Sequence, residues 1–465
     1  MPDHSSREGT DTSATKAPSA DNVDQLAPTP TRILGRTSYL LLWMGGCISI
    51  GTFTMGSSLV GQLNLLQAFM AMVVGCVIIG VGLMVNGAAG NKYGIPFVVQ
   101  LRSSFGFIGT KLAGLIRAAP AVVWFGFQSW IGAAAINQVV ITLFGYSNVV
   151  LFFILFIVAQ IALSAFGFHG IKWLENIGAV IMILALIYMF FSVINRYGAE
   201  IGEGLIDIEG SWGVPFWNAT MLFLGIYATM MLNVADYSRQ AFTGVRRSTM
   251  ALIYTGAILP VTMFMGLIGL MVSAATGVVD PIEVFSSAVD NTPLLIISLI
   301  FIAVSQVTTN VLNNVVPPVY VLMDLFKMRH NIGVIVVAVL SVATFPWLLV
   351  RDDNADNLQM FVETYSAFLG PIFAIMVVDY YFIRRQVLEV PELYDEGGRF
   401  SGVNMAGVIA TLVGVVVAFS FSDIGWYMSL LPSGIVYYLL MRYWKKMERF
   451  GAVGATTENA AGSAS

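Results

Sequence analysis

The stretch Arg117-Ala-Ala-Pro-Ala-Val-Val-Trp124-Phe-Gly126-Phe-Gln128-Ser-Trp130-Ile-Gly132 carries an indole and an amide four residues apart within an apolar run. Positions i and i+4 share a helical face, so Trp124 and Gln128 project together from a segment long enough to cross a bilayer. An amide on a lipid-embedded helix turns toward a partner helix or a wet cavity. Two readings follow: Gln128 ties two helices while Trp124 fills volume, or the pair forms a recognition face. These residues alone leave both open.

Outward from this run the composition sets the class. The chain has 465 residues, of which 57% are hydrophobic and 11% charged, with mean hydropathy +0.79. Soluble domains average about 25% charged residues, so this is a polytopic membrane protein. No basic block points to nucleic acid, and the net charge of −4 identifies no partner. Cys47 and Cys76 both lie in apolar segments and form no ligand cluster.

Residues 1–34 are rich in Ser, Thr, Asp, Ala and Pro and read as a disordered tail, as do 447–465. The first apolar run starts near Tyr39, too far in for a cleaved leader, and reads as the first span. At about 20 residues per span, the runs predict roughly twelve helices: Tyr39 to Val60, Leu66 to Gly87, Ile108 to Val139, Val149 to Phe168, Trp173 to Ile194, Val214 to Val234, Met250 to Ala275, Pro293 to Val316, Ile332 to Val350, Phe361 to Phe382, Asn404 to Phe421 and Ile424 to Met441. The basic residues test this count. With both termini in the cytoplasm, Lys92, Arg102, Lys111, Lys172, Arg239, Arg246, Arg247, Lys327, Arg329, Arg384, Arg385 and Arg399 join those of the tails on one side. Only Arg196 and Arg351 fall on the other, which carries acidic loops. That bias predicts an even number of spans, with both ends inside a cytoplasmic membrane.

Two spans in matching places contain glycine interruptions: Gly45-Gly46 and Gly51 in the first, and Gly225 ahead of Ile226-Tyr227 in the sixth. If the core is two five-helix repeats, these open each half, and broken helices at such positions mark midplane sites of secondary transporters. Glycine also serves close helix packing alone. The eighth span adds Ser305-Gln306-Val-Thr308-Thr309-Asn310 and then Asn313-Asn314-Val-Val-Pro317-Pro318. Ser305, Thr308 and Thr309 share a face, and their oxygens suit an alkali cation; bonding of the hydroxyls to their own helix is the competing reading. Arg117, Glu175, Asp236, Asp324, Glu363 and Asp379 all fall near expected span ends, where snorkelling or interfacial pairing accounts for them, with Asp236 and Arg239 a candidate pair.

The strings Tyr93-Gly-Ile-Pro-Phe97, Leu101-Arg-Ser-Ser-Phe-Gly106 and Trp124-Phe-Gly-Phe-Gln128 resemble the nucleobase:cation symport-1 family of cytosine, uracil, allantoin and hydantoin permeases. Asn233-Val-Ala-Asp-Tyr-Ser-Arg239, Thr308-Thr-Asn310 with Asn314, Gly370-Pro371 and Asp379-Tyr-Tyr-Phe-Ile-Arg-Arg385 resemble its later motifs in order. The resemblance implies an all-α, five-plus-five inverted-repeat core of the leucine-transporter type (residues 35–385), followed by two additional spans (386–446). It implies a flat substrate stacked between Trp124 and Tyr227, the latter standing where a hydantoin permease has an indole. Gln128 and Asn314 then supply amides, Ser49 replaces a glutamine, and Ile226 replaces a glycine and narrows the pocket. The implied sodium ligands are the carbonyls of Gly45, Ile48 and Ser305 and the hydroxyls of Thr308 and Thr309. A closing residue falls near Val362.

The expected function is cation-coupled uptake, with Na+ ahead of H+, of a nucleobase or related neutral heterocycle by alternating access. Stacking plus carboxamides recognises such a ring without burying a charge. No cofactor, nucleic acid or obligate protein partner is implied; the lipid bilayer and the small heterocycle are the partners. An enzyme would need converging catalytic groups, and the three histidines, His4, His169 and His330, lie in a tail and near loops. A homologue kept as a receptor is the remaining alternative.

Overall fold

The computed structural model describes residues 25–451 except 166, 288, 290 and 350–354, and leaves out the side chains of 165–179, 281, 285, 287, 301, 308, 355 and 356. Among the described residues the chain is helical, and one isolated bridge, Leu34 to Ala241, stands in place of strands. Among the described residues eight helices are long and apolar enough to cross a membrane, and the bent pair Arg36–Gly46 and Gly51–Ser57 makes a ninth. Three shorter apolar helices, Val149–Ser164, His330–Ala343 and Met405–Ser420, complete the expected twelve.

Local chemistry sets the joints. The second span, Leu65–Tyr93, begins with a reciprocal cap: the Asn64 side chain accepts from the Gln67 N–H, and Gln67 accepts from the Asn64 N–H. It stops at Gly94, whose φ of 73° is the left-handed C-terminal conformation. The helix Phe97–Phe144 is interrupted at Gly106, with φ 74°. There the freed N–H groups of Phe107 and Ile108 donate to the carbonyls of Phe400 and Gly402 at 2.9 and 2.8 Å.

The first, second, sixth and seventh spans pack as one group, and the third, fourth, eighth and ninth as another; the fifth and tenth each reach both. Each half of the chain thus repeats the same parts in order, the five-plus-five architecture of the leucine-transporter type. The last two spans pack on each other and on the tenth. Residues 25–34 are tied down: Leu34 pairs with Gln240 and Phe242 through the backbone, and the Tyr394 hydroxyl donates to Leu26 O at 2.7 Å. The 3₁₀ turn Lys445–Phe450 is likewise held, because Arg384 donates to Phe450 O. Both ends of the described chain therefore meet one end of the bundle, as an even span count requires.

The first and seventh spans touch backbone to backbone. A Cβ built on Gly56 would stand 2.0 Å from Gly266 O, and one on Gly269 would stand 2.2 Å from Phe53 O. Ser57 Oγ donates across the same seam to Gly269 O at 3.1 Å. Gly56→Ala is therefore expected to destabilise the protein by about 1–3 kcal/mol, as overpacking does. A thermal unfolding midpoint in detergent checks it; a midpoint equal to that of the unsubstituted protein would show that the seam yields.

Several expectations are corrected. The sixth span is an unbroken helix, Val214–Leu232, through Gly225, and its interruption comes at Asn233 before the single turn Ala235–Ser238. Gly225 is there for packing: a Cβ would meet Val362 Cγ1 at 2.4 Å and Ser366 Oγ at 2.9 Å. The eighth span does not stop at the Pro317-Pro318 pair. It passes through a π-helical turn, Val311–Val315, and both prolines sit in the first turn of Val316–Phe326, while Leu312 O and Asn313 O just before them accept from the side chains of Tyr237 and Arg117. The ninth ends at Ala343, short of Val350, ahead of the 3₁₀ turn Pro346–Leu349.

The charged groups do not snorkel. Arg117 is wholly enclosed. Arg102 pairs with Asp324 at 2.5 Å. Asp379 accepts from Arg384, Ser103 and Tyr437, and Glu363 accepts from Asn218 and Gln359. Asp236 and Arg239 lie close enough for their charges to act on each other but bond to other groups: Asp236 accepts from Phe97 N–H and the Asn233 amide, while Arg239 donates to Tyr320 and Gln25. Buried charge needs a nearby counter-group, and helix packing supplies one that spacing along the chain does not show. The Glu175 side chain and residues 1–24 and 452–465 lie outside the described residues.

Candidate functional site

Between Gly46 and Gly51 the first span bends by 57°. The regular helical ladder ends there, and four consecutive carbonyls, of which Gly45 O and Cys47 O also accept from Ile48 N–H and Ser49 N–H, are met from outside the span. Gly45 O accepts from Thr309 Oγ1 at 3.0 Å, Gly46 O from Asn313 Nδ2 at 2.7 Å, Cys47 O from the Tyr227 hydroxyl at 3.2 Å and Ile48 O from Gln306 Nε2 at 2.9 Å. Three of these donors belong to the eighth span and one to the sixth. The gap is the hub on which both groups of spans converge.

Beside the gap lies a cavity of about 20 Å³ lined by Gly46, Ser49, Trp124, Gln128, Ile226, Tyr227, Thr229, Met230, Asn313 and Asn314. All six residues expected at the substrate site, Ser49, Trp124, Gln128, Ile226, Tyr227 and Asn314, line it and are buried. Its volume admits about one water, so a ring enters only if the walls part. Trp124 is braced on three sides: its ring edge lies about 3.0 Å from where a Gly51 Cβ would stand, Phe127 meets it edge-on at 5.3 Å, and Nε1–H donates to the Tyr365 hydroxyl at 3.3 Å. Tyr227 turns its hydroxyl away from the cavity, onto Thr262 at 2.7 Å as well as Cys47 O.

Of the amides, Gln128 gives its NH₂ to Ser49 Oγ at 3.3 Å, and its Oε1 is buried without a partner. Asn314 donates to Asn310 Oδ1 at 2.8 Å. Asn310 in turn donates to Gln160 Oε1 at 2.8 Å and to Ser129 Oγ at 3.1 Å, which carries the polar chain into the fourth span. The π-helical turn lies between Asn310 and Val316 and rotates Asn313 and Asn314 toward the gap, a common use of such bulges at functional sites. Below the cavity, Arg117 Nε and Nη2 converge on Asn233 Oδ1 at 3.0 and 2.6 Å, and the Tyr237 hydroxyl donates to Asn313 Oδ1 at 3.0 Å.

The expected ligand residues Gly45, Ile48, Ser305 and Thr309 are buried, and the contacts above join Gly45 to Thr309. Ser305 lies one helical turn before Thr309 in the same helix. The Thr308 side chain lies outside the description. Val362 is buried against Gly225 and is not among the cavity-lining residues; the tenth-span groups that touch Trp124 are Phe361, at 6.0 Å between centroids, and Tyr365. Gln306, Gln160, Asn313 and Tyr365 carry no role in the sequence reading. The signal available was the density of amides in the eighth span, but which of them reach the gap depends on the π-helical turn.

The family model described as permease for cytosine/purines, uracil, thiamine and allantoin matches residues 28–444. The chain belongs to the nucleobase:cation symport-1 family. It is similar to the allantoin permease of Bacillus subtilis (27% identical, covering 87% of this chain and 89% of that one). It is also similar to the hydantoin permease of Microbacterium maritypicum (25%, covering 89% and 86%) and the purine-uracil permease NCS1 of Arabidopsis thaliana (29%, covering 86% and 71%). Among solved structures, Mhp1, a nucleobase-cation-symport-1 family transporter in a closed conformation with bromovinylhydantoin bound, matches with a TM-score of 0.82 at 25% identity over 91% of this chain and 96% of that one. The permease is thus a multi-pass membrane transporter, not an enzyme.

Proposed function

We propose that this permease imports a neutral nitrogen heterocycle of the cytosine, uracil, allantoin, hydantoin or purine type across the cytoplasmic membrane, coupled to Na+, with both termini inside. In this reading residues 35–385 form the transport core and 386–446 two accessory spans. The observation that carries it is the pairing, in one cavity, of the Trp124 face with the buried, unpartnered Oε1 of Gln128. An orphaned acceptor costs about 1–3 kcal/mol, which a ring N–H on the substrate recovers. Asn314 and Ser49 face the remaining ring edges, Tyr227 supplies the opposite wall, and Ile226 limits ring width. Phe361 and Tyr365 close over Trp124, while Val362 sets how near the tenth span approaches the sixth.

The coupling site rests on the gap. Carbonyls of Gly45, Ile48 and Ser305 with the hydroxyls of Thr308 and Thr309 make an all-oxygen set of the kind hard cations prefer. The set joins the bent first span to the eighth. A cation there favours the gap geometry that also shapes the substrate cavity, and linkage makes the preference mutual. Each Na+ entering down the membrane potential contributes about 2.3 kcal/mol per 100 mV, enough to accumulate an uncharged ring.

Uptake of labelled cytosine, uracil, allantoin and a 5-substituted hydantoin by protein reconstituted in liposomes tests the proposal. Uptake of at least one ring is expected under an inward Na+ gradient, and counterflow exchange of preloaded label separates a carrier from a receptor. Choline in place of Na+ at fixed pH and potential is expected to abolish uptake; persistence would assign proton coupling. Thr309→Ala is expected to raise the half-activating Na+ concentration about tenfold or more, the worth of one charge-assisted oxygen contact. An unchanged sodium dependence would remove Thr309 from the coupling site.

A further inference from the structure

Gln306 stands in the polar eighth span between Ser305 and the Thr308-Thr309 pair, yet no role in the cation set falls to it from sequence. Its side chain is fully buried. One end of the carboxamide is used: Nε2 donates to Ile48 O at 2.9 Å, the carbonyl that closes the bent segment of the first span. The other end, Oε1, is buried with no hydrogen-bond partner. A glutamine serving only to tie two helices would satisfy both ends, because an orphaned acceptor in a dry interior is costly. Oε1 instead sits beside the gap, next to a carbonyl assigned above to the cation.

We propose that Gln306 is a ligand of the coupling cation. A half-turn of the planar amide exchanges Oε1 and Nε2 and leaves the rest of the side chain in place. The exchanged amide sets a second carbonyl oxygen 2.9 Å from Ile48 O. Two such oxygens repel each other unless a positive charge lies against both. Without a cation the NH₂ end caps Ile48 O and keeps the gap closed; with one, the oxygen end turns in and joins Ile48, Gly45 and Thr309 around the charge. The amide thus trades a donor for a ligand as the ion arrives. This rests on the cation reading of the gap given above.

The test is sodium-dependent thermal stabilisation of the purified full-length protein in detergent, with choline holding ionic strength constant, since a ligand selective for the folded state raises apparent stability by mass action. Gln306→Leu is expected to raise the half-saturating Na+ concentration about tenfold or more, the worth of one charge-assisted oxygen. Gln306→Met, similar in length, gives the same readout if the leucine variant is not recovered folded. Gln306→Glu keeps an oxygen and adds charge, and is expected to hold half-saturation at or below the unsubstituted value. An unchanged or lowered half-saturation in the leucine or methionine variant overturns the proposal, as does a glutamate variant as weak as leucine. Absence of any sodium effect on the unsubstituted protein would instead remove the cation reading itself.

Discussion

Replacing Trp124 with alanine is expected to weaken binding of the transported ring by roughly ten- to a hundredfold, because stacking of a heterocycle on an aromatic face contributes about 1–3 kcal/mol. The indole is held on edge by Gly51 and Phe127, and its Nε1–H is bonded to Tyr365. Truncation therefore removes the platform and also frees the tenth span from the third. Trp124→Phe keeps a ring face but leaves the Tyr365 hydroxyl without its donor, and is expected to cost about 0.5–1.5 kcal/mol, a loss of a few- to tenfold. Equilibrium binding of whichever ring the liposome panel identifies, at saturating Na+, measures both. Alanine and unsubstituted proteins with equal affinity would rule out the stacking site, provided sodium still stabilises the variant, which shows that the gap is intact.

The second large effect concerns a charge that the substrate never touches. Arg117 lies fully enclosed in the third span, and its Nε and Nη2 both end on Asn233 Oδ1. Asn233 passes its own NH₂ to Asp236 Oδ2 at 3.0 Å, and Asp236 Oδ1 accepts the Phe97 N–H at 2.9 Å. One amide thus bridges a buried cation and a buried anion. Nη2 also reaches Asn313 O at 3.2 Å, so the relay joins the third, sixth and eighth spans just below the cavity. Arg117→Met leaves the buried Asn233 Oδ1 without its two donors, and an acceptor buried without its charged donor costs about 1–3 kcal/mol. A lower thermal midpoint and reduced yield of folded protein are expected. Arg117→Lys is expected to recover little, since a single ammonium cannot make the forked contact. The loss on adding Asp236→Asn to Arg117→Met is expected to be less than the sum of the two single losses, because both side chains act through Asn233. Additive losses in the double variant would show that the two charges are not coupled through Asn233.

Because this relay and the Asn313 bridge from Gly46 O to the Tyr237 hydroxyl lie on the side of the cavity toward the chain termini, opening the site in that direction must part them. The same contacts that close the site therefore resist its opening.

The residues alone determined the membrane class, the twelve spans and the one-sided distribution of Lys and Arg, because each depends on the composition of a contiguous segment facing one solvent. They also marked Trp124, Gln128 and Asn314, whose side chains are polar or aromatic where lipid tolerates neither without a partner. Tertiary structure decided what those side chains meet. Gly225 looked like a break and is a packing site for Val362, since a missing Cβ reads the same in either use. The prolines at 317 and 318 looked like an end and are absorbed after a π-helical turn, which aims Asn313 and Asn314 at the gap. Arg117, placed near a span end by counting, lies at the centre of a relay because Asn233 and Asp236 arrive from another helix. Gln306 and Gln160 were ordinary amides until the first span supplied a carbonyl to one and the third and eighth spans hydrogen-bond partners to the other. A hydrogen bond is made at about 3 Å through space, and sequence spacing reaches that scale only within one helix; between helices the packing alone sets it.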